Sequence, residues 1–356
     1  MTSFKFQAQT TTLKLSDLLS FNITKSNKSN YVNVADRYHV TDLGTLGGPL
    51  SVAKDINDSG QIVGYSINNN GERRAFVWDN HQGMQDIGTL GGDLSCAYGI
   101  NDYGQVVGYS VFHNGQRRAF IWDATNGIQN LNTPGDTFTE AYSINNLGQV
   151  VGLSITPNGK RSAFIWDSTK GMQNIGIPGE VESSAYAINN SGQVVGYSVS
   201  SDLIVTAYTW NSDKGTQELP GFLGSDINSD GHVVGFYAIP EDSNRAFIYD
   251  GSQTLDLGTI SGDVNLQFFD SEANSINNSG VVVGSSDKLI NPYQKKWDKR
   301  AFICDRLNNI QDLNDLIDPA TGWILREAQS INNNGQIVGW GSKDYSRCAF
   351  LLTPIS

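Results

Sequence analysis

The chain has 356 residues, with 36 acidic and 24 basic side chains and a formal net charge of −12. Because nucleic-acid binding depends on clustered Lys and Arg that neutralise phosphates, this charge argues against a DNA or RNA partner. The sequence contains no uninterrupted run of the roughly 20 apolar residues that a membrane-spanning helix needs, so no membrane span is expected.

Residues 1–37 differ in composition from the rest of the chain. They carry five basic and two acidic side chains and are rich in Ser, Thr, Asn and Lys. Their one apolar patch, Leu13 to Phe21, is interrupted by polar residues, unlike the core of a signal peptide. We expect an extended or flexible segment, and a protein that is cytoplasmic or exported by a route without a cleavable signal peptide.

Residues 38–356 carry a repeat, which predicts one domain over this range. Each copy has Ile-Asn, a Gly three residues after the Asn, Val-Val-Gly or a variant, and later Ala-Phe or, in the fourth copy, Ala-Tyr. The Asn recurs at Asn57, Asn101, Asn145, Asn189, Asn228, Asn277 and Asn332, at intervals of 44, 44, 44, 39, 49 and 55. A period in the forties indicates one supersecondary unit repeated seven times.

The first copy divides at its turn signals into four short strands. Ser51–Asn57 and Gln61–Ser66 flank an Asn-Asp-Ser-Gly turn, and Arg73–Trp78 is rich in aromatic and β-branched residues. Met84–Leu90 makes the fourth strand. Four-stranded units in radial array predict an all-β, seven-bladed β-propeller with four antiparallel strands per blade.

The two chain ends are predicted to close the ring. The last copy stops without a fourth strand, whereas Tyr38–Gly48, before the first copy, matches one. The N-terminal strand should therefore complete the last blade and remove exposed sheet edges. A small residue three before each Ile should make the first strand the innermost, where blades crowd. These positions are Ala53, Ala97, Ala141, Ala185, Gly224, Ala273 and Ala328.

The three cysteines, Cys96, Cys304 and Cys348, occupy unrelated positions of the repeat. An odd count at such positions argues against a disulfide framework. Cys304 stands where other copies have Trp, so we expect a packed side chain there rather than a nucleophile.

The repeat resembles that of the HAF-repeat proteins, a bacterial group described as extracellular repeats. The resemblance rests on Gly88-Thr-Leu-Gly-Gly92, Ile144-Asn-Asn-Leu-Gly-Gln-Val-Val-Gly152 and Ala119-Phe-Ile-Trp122, and spans roughly Tyr38 to Leu352. The residue before Ala-Phe is Arg, Ser, Thr or Cys here and never His. The resemblance implies an extracellular repeat protein and no particular activity.

Motifs for chemistry are weak. Asp226, Asn228 and Asp230 resemble the opening of a calcium loop, but five other copies have Gly99, Ser143, Ala187, Ser275 or Ser330 at the first ligand position, so a plain hairpin turn is favoured and no cofactor is expected. The four histidines lie at different repeat positions and no nucleophile elbow occurs. Carboxylates brought together from separate blades stay open as a catalytic possibility.

Basic residues recur at the start of the predicted third strand in every copy except the fourth. They are Arg73, Arg74, Arg117, Arg118, Arg161, Arg245, Lys299, Arg300 and Arg347. On one face of a ring they would form a positive belt, unless each pairs with a carboxylate such as Asp93, Glu140 or Glu182. An unpaired belt would attract an acidic ligand, which makes Arg74, Arg118, Arg245 and Arg300 candidate binding residues.

The copies differ most in the loops of blades five to seven. Aromatic and basic residues outside the repeat occur there at Phe268, Phe269, Tyr293, Lys296, Trp297 and Trp323. Exposed aromatics of this kind form hot spots of binding surfaces, although these loops could instead fold over each other as a small satellite cluster. Multiple lectin sites are less favoured, because these aromatics are not repeated blade by blade.

The sequence therefore predicts a monomeric, non-catalytic platform that binds a protein or glycan through the variable loop face of blades five to seven. The alternative is a propeller enzyme of the glycosidase or lyase type, with carboxylates and Arg at the central pit.

Overall fold

The computed structural model describes residues 37–131, 135–177, 179–219, 223–239, 243–261, 270–291, 296–305 and 310–355. Residues 1–36 of the predicted N-terminal segment lie outside this part. The described residues form 28 β-strands and two short 3-10 helices, Leu313–Leu316 and Pro319–Thr321, and contain no α-helix. The all-β prediction is confirmed. No helix in these ranges is long and apolar enough to cross a membrane.

The strands follow the repeat. The N-terminal strand is β1 Tyr38–Asp42. Repeats 1 to 3 contain β2 Gly47–Ile56, β3 Ile62–Asn68, β4 Arg73–Asp79, β5 Gly83–Asp86, β6 Ser95–Ile100, β7 Val106–Val111, β8 Arg117–Asp123, β9 Gly127–Asn130, β10 Phe138–Ile144, β11 Val150–Ile155, β12 Arg161–Asp167 and β13 Gly171–Asn174. Repeats 4 to 7 contain β14 Glu182–Ile188, β15 Val194–Val199, β16 Val205–Asn211, β17 Gly215–Leu219, β18 Leu223–Ile227, β19 Val233–Ile239, β20 Ser243–Tyr249, β21 Thr254–Gly258, β22 Ser271–Ile276, β23 Val282–Asn291, β24 Lys296–Cys304, β25 Gln311–Asp312, β26 Ile324–Ile331, β27 Ile337–Lys343 and β28 Ser346–Pro354.

These strands form two eight-stranded and three four-stranded sheets. Consecutive strands of a repeat pair antiparallel. Each eight-stranded sheet also contains one parallel contact between repeats, Leu50 with Arg347 in one and Arg161 with Glu182 in the other. The first strands of the seven repeats contact one another in cyclic order, β2, β6, β10, β14, β18, β22, β26 and again β2.

The N-terminal strand joins the end of the chain. β1 pairs antiparallel with β28, from Tyr38 opposite Pro354 to Asp42 opposite Phe350. Tyr38 is buried in one apolar cluster with Phe350 and Leu352. The predicted pairing of the two chain ends is confirmed.

The core lies between consecutive repeats. In one cluster, Val107 and Ala119 of repeat 2 pack on Ala141, Ile144 and Phe164 of repeat 3. The six alanines three residues before Ile are all 0% exposed, as expected for crowded inner strands. The Gly of Val-Val-Gly is required by the same crowding, since a Cβ on Gly152 would lie 1.9 Å from the Glu140 carbonyl oxygen.

The three cysteines form no disulfide within the described residues, and Cys96 and Cys304 are buried. Cys304 packs in an apolar cluster with Phe302 and Ile310. Burial raises the pKa of its thiol to about 12, so the group is protonated at neutral pH. The expected packing role of Cys304 is confirmed.

A ring of asparagine side chains connects the seven repeats. Each Asn of the Ile-Asn pair is 3–6% exposed and donates its Nδ2–H to the backbone oxygen of the Asn in the next repeat, at 2.9–3.2 Å. The last bond runs from Asn332 to Asn57 and measures 3.0 Å. Each Oδ1 also accepts the N–H four residues later, such as that of Gln149 for Asn145. The same amide therefore shapes the hairpin and bridges the repeats.

A second, exposed set of bonds follows this ring. The N–H of the residue after the Asn donates to the side-chain oxygen of its counterpart in the next repeat, as from Asp102 to Asn146. Six junctions carry this bond. The junction from Asn190 to Ser229 does not, because Ser has a shorter side chain.

Replacement of Asn145 by Ala should destabilise the fold by roughly 1–3 kcal/mol, because it leaves the Asn189 carbonyl and the N–H groups of Leu147 and Gln149 without their partner. Chemical denaturation measures the change. The control is Asn190→Ser, which imposes the Ser229 arrangement on an exposed neighbour and should cost less than about 0.5 kcal/mol. Equal losses in both variants would contradict a special role for the buried ring.

Candidate binding site at the mouth of the central channel

The two ends of the ring differ. The hairpins that begin with the ring asparagines form one end, which we call the hairpin face. The loops between second and third strands, together with the connections between repeats, form the other end, the loop face. The hairpin sequences are nearly constant among the copies, whereas the loop-face sequences vary.

The first strands contact one another in cyclic order, and we call the space that they enclose the central channel; the residue after each small inner residue lies on these strands. These residues are half-buried and comprise Lys54, Tyr98, Tyr142, Tyr186, Ser225, Asn274 and Gln329. Neighbours touch across repeats: the ring centroids of Tyr98 and Tyr142 lie 5.5 Å apart, and Lys54 Nζ donates to Gln329 Oε1 at 2.6 Å. The wall is thus aromatic in repeats 2 to 4 and polar in the others.

Cations and carboxylates alternate around the loop-face mouth of this channel. Arg117 pairs with Glu140, Arg161 with Glu182 at 3.2 Å, and Lys299 with Glu327 at 3.5 Å. In each pair the cation lies on the third strand of one repeat, two residues before the Ala of Ala-Phe, and the acid lies on the first strand of the next. The predicted pairing of the basic belt with Glu140 and Glu182 is confirmed, and Asp93 has no ion pair within the described residues.

The paired carboxylates also accept hydrogen bonds from aromatic side chains. The Tyr142 hydroxyl donates to Glu140 at 2.7 Å, the Tyr197 hydroxyl to Glu182 at 2.6 Å, and Trp340 Nε1 to Glu327 at 3.1 Å. Burial opposes ionisation of Glu327, but the nearby Lys299 and Lys54 outweigh it and hold its pKa below the usual range. Glu327 is therefore held as an anion, which suits binding and positioning more than proton donation.

Several mouth cations stack on aromatic rings. The guanidinium of Arg73 lies 4.8 Å from the Tyr65 ring centroid, that of Arg117 lies 4.1 Å from Tyr109, and that of Arg347 lies 3.6 Å from Trp340. Cation–π contacts of this kind hold the head groups in place. The mouth is therefore a preorganised ring of charged and aromatic groups.

Three of the four predicted binding arginines have a partner among the described residues. Arg74 pairs with Glu72 at 3.0 Å, Arg118 donates to the Thr137 carbonyl at 2.7 Å, and Arg300 lies 2.6 Å from Asp298. The fourth, Arg245, is half-buried on β20. Side chains alternate along a strand, so these residues lie on the opposite side from the mouth cations. Binding by Arg74, Arg118, Arg245 and Arg300 stays a prediction.

The predicted aromatic patch is only partly described. Phe268, Phe269, Tyr293 and the side chain of Lys296 lie outside the described part of the chain. Trp297 is half-buried on β24. These residues stay a prediction.

Trp323 is not an exposed loop residue. It is 8% exposed and packs edge-on against Phe350, with 6.1 Å between ring centroids. Two 3-10 turns, capped by the side chains of Asp312 and Asp318, fold the preceding segment back and turn Trp323 into the core. The expectation that its ring is exposed is therefore wrong.

The residues of the weak calcium motif bond to the backbone. Asp226 accepts the N–H groups of Ile227 and Ile276 at 2.8 and 3.0 Å, and Asn228 belongs to the buried ring. Asp230 donates its N–H to Asn228 Oδ1 at 3.1 Å. No group of three His, Cys, Asp or Glu side chains suited to a metal occurs among the residues described. A calcium site here stays a prediction.

Comparison with known proteins gives a family match over part of the chain. A family described as "Protein of unknown function (DUF3466)" matches residues 199–347, which is less than half of the chain. No curated protein matches.

Solved structures match the fold at low sequence identity. The β-propeller domain of the Trilobed protease from Pyrococcus furiosus is 12% identical, with a TM-score of 0.55 over 85% of this chain and 95% of that one. Puromycin hydrolase is 11% identical, with a TM-score of 0.58 over 90% of this chain and 55% of that one. The acylaminoacyl peptidase of Pyrococcus horikoshii is 12% identical, with a TM-score of 0.51 over 86% and 52%. The chain spans about half the length of these two enzymes, and the matches show a β-propeller fold alone.

One carboxylate deeper in the channel predicts a pH effect on stability. Asp55 accepts the N–H groups of Ile56 and Ile100 and the Ser330 hydroxyl, and burial raises its pKa to about 7. The pKa of Asp55 is higher in the folded protein than the unfolded value of about 3.9, so the protonated carboxyl favours the folded state. This stabilisation is complete below pH ~4 and is lost as the pH rises to about 7. Asp55→Asn should therefore gain stability relative to wild type between pH 4 and 8, by at most about 4 kcal/mol.

Thermal unfolding at a series of pH values measures this difference. Asp93→Asn, which removes an exposed carboxylate, is the matched control and should follow the wild-type profile. Parallel profiles for wild type and Asp55→Asn would show that the Asp55 carboxylate is ionised in the folded protein.

Proposed function

We propose that the chain is a monomeric, seven-bladed β-propeller with four antiparallel strands per blade, serving as a non-catalytic platform that binds a protein or glycan through its loop face. The strand pairing supports this blade count. Each eight-stranded sheet is joined by one parallel contact, and apart from these contacts the strands group in fours. The asparagine ring passes once through each of seven repeats.

The HAF-repeat resemblance supports the same proposal. Gly-Thr-Leu-Gly-Gly, Ile-Asn-x-x-Gly-x-Val-Val-Gly and Ala-Phe-x-Trp occur in order along the chain. The constant parts of these motifs build the hairpin face and the inner strands, where they serve folding. Binding is therefore assigned to the variable loop face.

The main observation in support of binding through the loop face is a strained turn. Asp344 and Tyr345, between β27 and β28, have φ values of 49° and 64°, and the Tyr345 side chain is fully exposed. Positive φ at a bulky residue costs about 1–2 kcal/mol, and Gly or Asn is the usual choice in such a turn. An aromatic ring kept in solvent at this cost suits a partner that buries it.

The mouth carboxylates favour binding over catalysis. Glu140, Glu182 and Glu327 each combine an ion pair with an aromatic donor, so none is poised as a general acid. The propeller-enzyme alternative draws support from the convergence of these acids on one pit. It requires a carboxylate that changes its proton during turnover.

Tyr345→Gly tests the loop face without weakening the fold. Glycine removes the strain, so stability should rise by up to ~1 kcal/mol, while loss of the ring should weaken partner capture about tenfold or more. Binding is measured on a glycan array and by crosslinking capture from extracts, with thermal unfolding in parallel. A tighter partner complex in Tyr345→Gly would contradict the proposal.

Two control variants locate the surface. Leu203→Gly relieves a similar strain, at φ 61°, in repeat 4 and should retain capture, because blades five to seven carry the proposed surface. Tyr103→Ala with Leu147→Ala removes exposed apolar groups from the hairpin face and should also retain it. Loss of capture in the hairpin-face variant alone would assign binding to the other end. Turnover of a polysaccharide by the wild type, abolished by Glu327→Gln, would establish the enzyme alternative.

A further inference from the structure

Five mouth cations, Arg73, Arg117, Arg161, Lys299 and Arg347, occupy the same position of their repeats, and three of them form an ion pair with the next repeat within the described residues. At the junctions between repeats 2 and 3 and between repeats 6 and 7, the cation on the third strand faces a Glu placed just before the small inner residue of the next repeat. These pairs are Arg117 with Glu140 and Lys299 with Glu327. The equivalent positions on the two sides of repeat 1 are Val52 and Cys96, which have no charge.

The arginines that correspond to these two positions have no carboxylate partner among the described residues. By repeat equivalence with Arg117 and Glu140, Arg347 corresponds to Val52 and Arg73 corresponds to Cys96. Neither forms an ion pair within the described chain; Arg347 stacks on Trp340 and Arg73 on Tyr65. Arg347 is also exposed.

A third cation lies between them. Lys54, on the inner strand of repeat 1, donates to Gln329 at 2.6 Å and forms no ion pair within the described residues. Burial lowers its pKa, Glu327 raises it, and the neighbouring Arg347 and Lys299 lower it further. Three cations therefore lie around the inner strand of repeat 1, and the nearby acid, Glu327, is already paired with Lys299.

The surrounding wall is apolar and aromatic. Val52, Tyr65, Cys96 and Tyr109 form one buried cluster, against which Tyr98 and Trp340 pack. Low polarity strengthens the attraction of these cations for a bound anion, since less water screens it. An unhydrated organic group could rest on the same wall.

We propose that Lys54, Arg73 and Arg347 form a subsite for a carboxylate carried by an apolar or ring-bearing ligand. The ligand carboxylate takes the place of the glutamate that the repeat supplies at other junctions, and its apolar part rests against Tyr65 and Trp340. A guanidinium fork matches a carboxylate in shape and charge. The inference deepens the proposed binding function by naming the chemical group recognised, and rests on that function for its biological use.

The probe is 3-phenylpropionate, titrated calorimetrically at low salt into the full chain. The wild type should bind it, and Arg347→Gln or Arg73→Gln should weaken binding about tenfold or more, the loss expected for one charged hydrogen bond. The uncharged 3-phenylpropionamide should not bind. Phenyl phosphate tests whether the site prefers a phosphate to a carboxylate. Tighter binding of the phosphate than of the carboxylate would overturn the assignment to carboxylates.

Two further variants complete the test. Arg161 occupies the same position of its repeat as Arg73 and Arg347 do, but it is already paired with Glu182. Arg161→Gln should therefore leave the probe affinity unchanged. Val52→Glu introduces beside Arg347 the glutamate that repeats 3 and 7 have at this position. It should abolish probe binding although Arg347 is intact, and thermal unfolding checks that the variant is folded. Equal loss in Arg161→Gln and Arg347→Gln, or no binding by wild type, would overturn the subsite.

The test of the carboxylate subsite and the test of partner capture by the loop face can give different results. Probe binding lost in Arg347→Gln supports the subsite even when Tyr345→Gly has no effect on capture. Loss of capture in Tyr345→Gly without probe binding supports the platform and rejects the subsite.

Discussion

The closed ring of buried asparagine amides is the interaction on which the rest of the structure depends. Each amide satisfies the N–H four residues later in its own hairpin and the carbonyl of the next repeat, as Asn145 does for Gln149 and Asn189. A buried polar group left unpaired costs more than the bond itself is worth, so every repeat must supply the same residue in the same conformation. This requirement explains why the hairpin sequences barely vary among copies.

Closure fixes the first strands around an axis and so creates the channel. It also places the start of every third strand beside the first strand of the next repeat, where Ser95 Oγ accepts the Ala75 N–H and Thr139 Oγ1 accepts that of Ala119. Charge pairs such as Arg161 with Glu182 lie at the same junctions. Because these positions are equivalent, the replacement of Glu by Val52 or Cys96 changes charge without changing geometry. Departures from the repeat are therefore the most informative positions for binding.

Several features followed from sequence because they depend on local or repeated constraints. The pairing of Tyr38–Asp42 with the last strand follows from counting fourth strands, and the burial of Ala53 follows from crowding at an axis. The orientation of Arg73 toward the mouth, with Arg74 on the other side, does not follow. The sequence does not distinguish the two members of a pair of adjacent basic residues. The register with β3 decides which member faces the channel.

Trp323 shows the same limit in a loop. Its position outside the repeat suggested exposure, whereas the 3-10 turns after Asp312 and Asp318 fold it onto Phe350. Sequence by itself determined the repeat, the strand content and the joining of the two chain ends, because periodicity and turn residues act locally and recur seven times. Only the tertiary structure decided which cations lack a carboxylate and which aromatics are buried, because each depends on a neighbour from another repeat or a distant strand.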